Sequence, residues 1–190
     1  MQKATPIITN FSAGEIDPRF HGRVDLSQYF NACRILENAI VLTLGGAEKR
    51  PGTYFIAEAK NSAKKVRLVP FKFSTTQEYI LEFGHNYIRF YKDRGQIVSG
   101  GSPVEIVTTY TEAELFDLKF TQSADVLYIA HPAHAPAKLT RSSHTAWTIT
   151  NISFTTNPFT GAGSYPSCVA FFEERLGWAS TDNEPTTIWL

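Results

Sequence analysis

This sequence is short of cysteine, of charge of one sign and of long apolar runs. Its two cysteines, Cys33 and Cys168, lie far apart, one in a helical pattern and one opening an apolar strand, so two reduced core thiols are expected rather than a disulfide. Eighteen basic and eighteen acidic residues cancel, which removes any bulk field favouring nucleic acid, an anionic membrane or an acidic substrate. No stretch approaches the ~18 apolar residues of a membrane span, and Met1-Gln-Lys-Ala-Thr-Pro is not followed by the apolar segment of a signal peptide. The chain is therefore expected to be soluble, not exported by the usual route, and without a membrane span. A catalytic constellation is also missing: no Ser-His-Asp or Cys-His arrangement is legible.

What is present is a globular composition, with 43% hydrophobic and 13% aromatic residues in 190. That is ample for one core or two small ones. The pattern predicts a mainly β protein, a helical N-terminal leader followed by antiparallel β-sheets resembling an incomplete propeller. The leader occupies 1–60. Leu26, Tyr29, Phe30, Cys33 and Leu36 fall at helical spacing, so an amphipathic helix is predicted over 25–38, with Asp25 and Gln28 forming a capping box. Ile40-Val-Leu-Thr-Leu then predicts a strand, Arg50-Pro51-Gly52-Thr53 a turn and Tyr54-Phe-Ile-Ala another strand.

The body occupies 61–190. Strands are predicted at 66–73, 78–83, 87–92 and 104–109, with Gly84-His-Asn as a tight hairpin between the second and third. Thr111 and Glu114 signal a short capped helix, after which strands resume at 125–130, 137–141, 147–154, 168–172 and 176–180. Residues 155–166 read as a long loop. A near-repeat runs through this body: the order of polar and apolar types from Lys72 recurs from Lys119, and Leu127, Ala130, Pro136 and Leu139 recur as Leu176, Ala179, Pro185 and Ile188, a period of 47 to 49 residues. Such a period marks stacked β-units, each burying its apolar face on the next. At most three copies fit, and Ile188-Trp189-Leu190 reads as a strand cut short, so a truncated body is expected.

Several candidate sites fail on spacing. His131-Pro-Ala-His134, with His144 nearby, offers imidazoles, but a Pro-containing loop after a strand reads as an exposed turn, and no metal is assigned. Glu78 and Glu82 share a strand face about 13 Å apart, beyond the reach of a glycosidase acid and base pair. Glu173 and Glu174 are adjacent and are read as strand residues on opposite faces. Gly45-Gly46 upstream of Arg50 lacks the Gly-Lys-Ser/Thr of a phosphate loop, and a strand follows where a helix is needed. Ser143-His-Thr-Ala-Trp147 lacks the Asp and Gly of an Asp-box hairpin. Lys64, Lys65, Arg67 and Arg89, with Lys60, Lys92 and Arg94 near Phe71, Phe73, Phe90 and Tyr91, are candidates to line a DNA path, set against the simpler reading that they guard strand edges.

Phe11-Ser-Ala-Gly-Glu-Ile-Asp-Pro-Arg, then Gly22-Arg23-Val24-Asp25-Leu26 with Tyr29, Gly45-Gly46 with Arg50-Pro51-Gly52-Thr53-Tyr-Phe, Val69-Pro-Phe-Lys-Phe-Ser, Tyr79-Ile-Leu-Glu-Phe-Gly and Ile88-Arg-Phe-Tyr follow one another in this order. In that order, and with Phe171-Phe-Glu-Glu-Arg-Leu-Gly-Trp-Ala-Ser-Thr, the chain resembles the N-terminal part of the tail tubular protein B, or nozzle, family of short-tailed phages and prophages. The resemblance implies a non-enzymatic virion tail protein, assembled in the host cytoplasm without a cofactor. In the family it is a hexameric ring that extends the DNA channel below the portal and adaptor, so the implied partners are other tail proteins (adaptor, tail fibre or self), with transient contact to ejected DNA. Leu26, Tyr29, Phe30 and Cys33 are the candidate inter-subunit or adaptor contacts. The alternative is a glycan-binding or glycan-processing propeller-type domain.

Overall fold

A computed structural model describes residues 7–190. Strands make up 40% of the chain and helix 4%, which makes the fold mainly β, in several antiparallel sheets none of which closes. The chain forms two compact units, one ending at Phe55 and one spanning Ile56–Leu190.

The first unit corrects the predicted helical leader. It holds β1 (Gly14–Glu15), β2 (Ala32–Cys33), β3 (Ala39–Val41), β4 (Ala47–Lys49) and two 3₁₀ turns, Pro18–Phe20 and Ser27–Asn31, with no α-helix among the described residues. Ser27, Tyr29, Phe30, Asn31 and Cys33 are all weak helix formers, and a helix this short needs a surface on which to bury its apolar stripe. No residue of the 3₁₀ turn is buried. Asp25 caps nothing; its carboxylate takes the Arg23 guanidinium at 2.6 and 2.8 Å. Instead of continuing a helix, Ala32–Cys33 pairs in parallel with Gly14–Glu15. The predicted strand after Gly52 is also absent, since Pro51–Ala59 has no regular structure, and the turn lies earlier. There β3 and β4 form a hairpin closed at Gly45, whose φ of +96° only glycine adopts without strain.

The second unit is built from antiparallel meanders. The first comprises β5 (Arg67–Lys72), β6 (Glu78–Gly84), β7 (Tyr87–Lys92) and β8 (Gly95–Gln96), with the small hairpin β9 (Val98–Ser99) and β10 (Ser102–Pro103) leading to β11 (Glu105–Val107). Its sheet order is β11-β7-β6-β5, with β8 also on β7. The second runs in sequence order through β12 (Lys119–Ser123), β13 (Val126–His131), β14 (His134–Arg141) and β15 (Trp147–Asn151). The third is β16 (Cys168–Phe172), β17 (Arg175–Ala179) and β18 (Ile188–Trp189).

Alternation sets which face of each sheet is buried. On the first sheet Leu81 stands between Val69 and Phe90, and Phe71 beside Tyr79, all turned to one core. Leu127, Ile129, Ala137 and Leu139 enter the same core from the second sheet, with Tyr110, Leu115, Leu118 and Trp147 filling its margins. The opposite face of the second sheet carries Tyr128 and Ala130 into a second cluster with Phe159, Val169 and Trp178 of the third. The middle sheet is thus covered on both sides, which explains why β13 reads as a continuous apolar run.

The near-repeat maps onto this layering in part. Tyr79-Ile80-Leu81 and Val126-Leu127-Tyr128 both lie on second strands of their meanders, and Leu176 lies on the middle strand of the third. Lys72, however, ends β5 whereas Lys119 begins β12, so the similarity does not extend through the first strands. The short helix predicted from Thr111 is a pair of i→i+3 turns, Thr111 to Glu114 and Glu114 to Asp117. Its predicted cap chemistry is present, since Glu114 Oε2 accepts from the Thr111 N–H at 2.8 Å and from its hydroxyl at 2.7 Å. Both cysteines are free, but neither is a core thiol: Cys33 is half-buried and Cys168 is exposed at the start of β16.

Candidate functional site

Of the four leader candidates, Tyr29, Phe30 and Cys33 share one shallow depression with Ile8, Ile16 and His21, and Leu26 lies outside it. Tyr29 and Phe30 meet edge to face at 5.6 Å, and Phe30 remains 63% exposed. Among the described residues, neither apolar cluster includes any before Val69. Ile7, Val24, Ile35 and Leu44 are likewise exposed, so the described part of the first unit displays apolar side chains without a core to receive them.

The four candidate cations divide into two pairs. Arg67 turns to the core side of β5, where its guanidinium donates to the Leu115 and Leu118 carbonyls at 2.8 Å each and lies 4.9 Å over the Phe120 ring. Arg89 sits on the outer face, bonded to Glu105 at 2.9 Å, and Glu105 also takes the Lys60 ammonium. Lys64 and Lys65, in the loop before β5, line a pocket with Lys60, Asn61, His85 and Tyr87, and neither makes an ion pair among the described residues.

The carboxylates considered as acid and base are occupied or misplaced for that work. Glu82 is buried and accepts from the hydroxyls of Tyr87, at 2.5 Å, and Tyr91. Burial together with that bond pushes Tyr91 up to about 12. Glu78 is an exposed partner of Lys72 at 3.1 Å. Glu173 and Glu174 are not strand residues; both have positive φ and form the β16–β17 turn.

The histidines correct the expectation of an exposed turn. Pairing of His131 with His134 across the β13–β14 hairpin sets the two rings side by side, with centroids 5.1 Å apart, and His131 is only 4% exposed. His134 Nε2 lies 3.1 Å from Glu114 Oε1, and one ligating atom from each of Glu114, His131 and His134 falls within 4.8 Å of the others. His134 Nδ1 lies 3.3 Å from Thr109 Oγ1, and Tyr110 packs edge-on to its ring. Burial pushes Glu114 up, but its bonds to the Thr111 N–H and hydroxyl and to His134 outweigh this and hold it at about 2. Burial, then the neighbouring His134, lowers His131. The cluster thus presents an ionised carboxylate and a neutral imidazole near pH 7. His144 does not belong to it; its Nδ1 lies 2.6 Å from the Tyr79 hydroxyl.

Sequence reasoning missed Glu114. Its only visible signal was the Thr-x-x-Glu cap, which uses one carboxylate oxygen and leaves the other to face the hairpin. No protein-family model matches this chain, and no curated protein matches it.

Proposed function

We propose that this chain is a structural tail component of a phage or prophage, a nozzle-type subunit that works in a homo-oligomeric ring in the virion tail after assembly in the host cytoplasm. The observation that carries this reading is the first unit. Among its described residues, Ile7, Val24, Phe30, Ile35 and Leu44 are exposed and none belongs to a core, which is the condition of a surface completed by another subunit. The order of short motifs from Phe11 to Trp178 supplies the tail assignment.

The β-body serves as the rigid part of the subunit, an incomplete propeller in which successive meanders cover one another. Its role is structural and not catalytic: the carboxylates Glu78 and Glu82 are engaged by Lys72 and by two tyrosines. Adaptor, tail fibre and further copies of the chain are the proposed partners, met through Leu26, Tyr29, Phe30 and Cys33. Lys64 and Lys65 are the proposed contacts for passing DNA, since Arg67 and Arg89 are committed within the fold.

Immunogold labelling of purified virions with antibody against residues 56–190 tests the assignment. Gold is expected on the tail, and virions that lack the chain would overturn the reading. Sedimentation tests the surface: Phe30→Asp and Tyr29→Asp should each weaken self-association while leaving the circular dichroism of the β-body unchanged.

A further inference from the structure

The geometry points to a divalent transition-metal site of the zinc type formed by Glu114, His131 and His134. Two backbone devices build it. The β13–β14 hairpin turns through Pro132 and Ala133 and so brings His131 opposite His134, while the Thr111–Glu114 turn fixes the carboxylate by holding its other oxygen. Neither device depends on the assignment of the chain to a phage tail.

The distances suit a small ion. Three ligands at tetrahedral positions around zinc, each about 2.1 Å from it, stand roughly 3.4 Å from one another. The pair His134 Nε2 and Glu114 Oε1 already stands at 3.1 Å, and all three ligating atoms lie within 4.8 Å. Rotation of the His131 side chain closes the set.

A second observation, independent of the clustering, concerns the buried His131. Among the described residues its Nε2 has no hydrogen-bond partner, although native interiors almost always pair such atoms. The Ala133 N–H donates to His131 Nδ1 at 3.1 Å, which places the ring proton of the neutral imidazole on Nε2. Metal binding at Nε2 moves that proton to Nδ1 and releases the Ala133 amide. Ala133 is exposed, so water takes over the amide. At His134, Thr109 Oγ1 stands where it can accept from Nδ1–H and so orient the ring with Nε2 toward the ion.

Two imidazoles and a carboxylate favour zinc or a neighbouring first-row ion over magnesium or calcium, and three protein ligands leave the fourth position to water. Bound there, the ion ties the segment between β11 and β12 to the β13–β14 hairpin.

The test is calorimetric titration of ZnCl₂ into the chelator-treated full chain, free of any histidine tag, with Co²⁺ absorption as a check on geometry. One site with Kd of about 1 µM or tighter is expected, with a rise in melting temperature on loading. His134→Asn and Glu114→Gln should each weaken binding by about tenfold or more, and His21→Asn should leave it unchanged. Absence of saturable binding, or binding that the two site variants leave intact, overturns the proposal. Should those variants fail to fold, ¹⁵N spectra of the imidazoles in the unaltered protein decide. Zinc must shift the His131 proton from Nε2 to Nδ1 and perturb the Ala133 amide, and spectra in which His131 and Ala133 do not respond overturn the site.

Discussion

The side-chain amide of Gln122 makes both backbone hydrogen bonds of Lys72: its Nε2 donates to the Lys72 carbonyl at 2.8 Å and its Oε1 accepts from the Lys72 N–H at 3.0 Å. β5 is the outer strand of its sheet, so Lys72 has no strand neighbour on that side. One side chain of β12 takes the place of a strand and covers the end of an edge that would otherwise pair with another chain. Gln122 Nε2 also donates to the Ala124 carbonyl at 2.8 Å, so Gln122→Glu loses the two bonds of the donor and Gln122→Ala loses all three. Each bond contributes about 1 kcal/mol. Urea denaturation should therefore show a smaller loss for the first variant than for the second.

Gly84 lies under the ring of Tyr87. A Cβ at Gly84 would fall 2.2 Å from two ring carbons, so Gly84→Ala forces the ring aside and breaks its bond to Glu82. The expected cost is about 1–3 kcal/mol, typical of overpacking. In a Tyr87→Ala background the same glycine change should cost far less, and a double-mutant cycle on denaturation free energies would expose that coupling.

Alkaline stability should report on Tyr91. Its value in the folded chain, about 12, stands above the ~10 of an unfolded tyrosine, so folding favours the protonated hydroxyl. Stability from this group is complete below about pH 10 and is lost as pH rises towards 12. Denaturation midpoints should be level up to about pH 10 and fall beyond it, with a shallower fall in Tyr91→Phe. An equally steep fall in that variant would contradict the assignment.

Trp147 joins the first two sheets. Its ring stacks on Phe90 at 4.3 Å and meets Phe71 and Tyr79 edge-on at 5.1 and 5.3 Å, and its indole N–H donates to the His144 carbonyl at 3.0 Å. Trp147→Ala should cost about 3–5 kcal/mol, the range for emptying an aromatic core site. Trp147→Phe keeps the stack and loses the hydrogen bond, so its thermal shift should be much the smaller of the two.

The body was legible in the sequence because its strands carry local signals. Alternation across Val69 and Phe71 marked β5, and His85-Asn86 marked the β6–β7 turn, where Asn86 takes a φ of +63°. The leader was misread because Leu26, Tyr29 and Phe30 keep helical spacing, while a short helix of weak formers depends on burial that spacing does not reveal. Leu26 is only half-buried, and Phe30 is exposed. The histidine cluster stayed hidden for a related reason. His131 and His134 are neighbours in sequence, but their third partner comes from the segment between β11 and β12, a placement set by packing and not by any motif.

The middle sheet has a consequence for how the protein is made. Each meander is contiguous in sequence, so the first can pair its strands as soon as residue 107 has left the ribosome, and the second can cover its apolar face soon after. The second then presents Tyr128 and Ala130 to water until β16–β18 arrives. From the emergence of residue 151 until that of residue 189 the nascent chain therefore carries a finished sheet with one naked apolar side, and slow translation over that interval lengthens its exposure to chaperones and to other nascent copies.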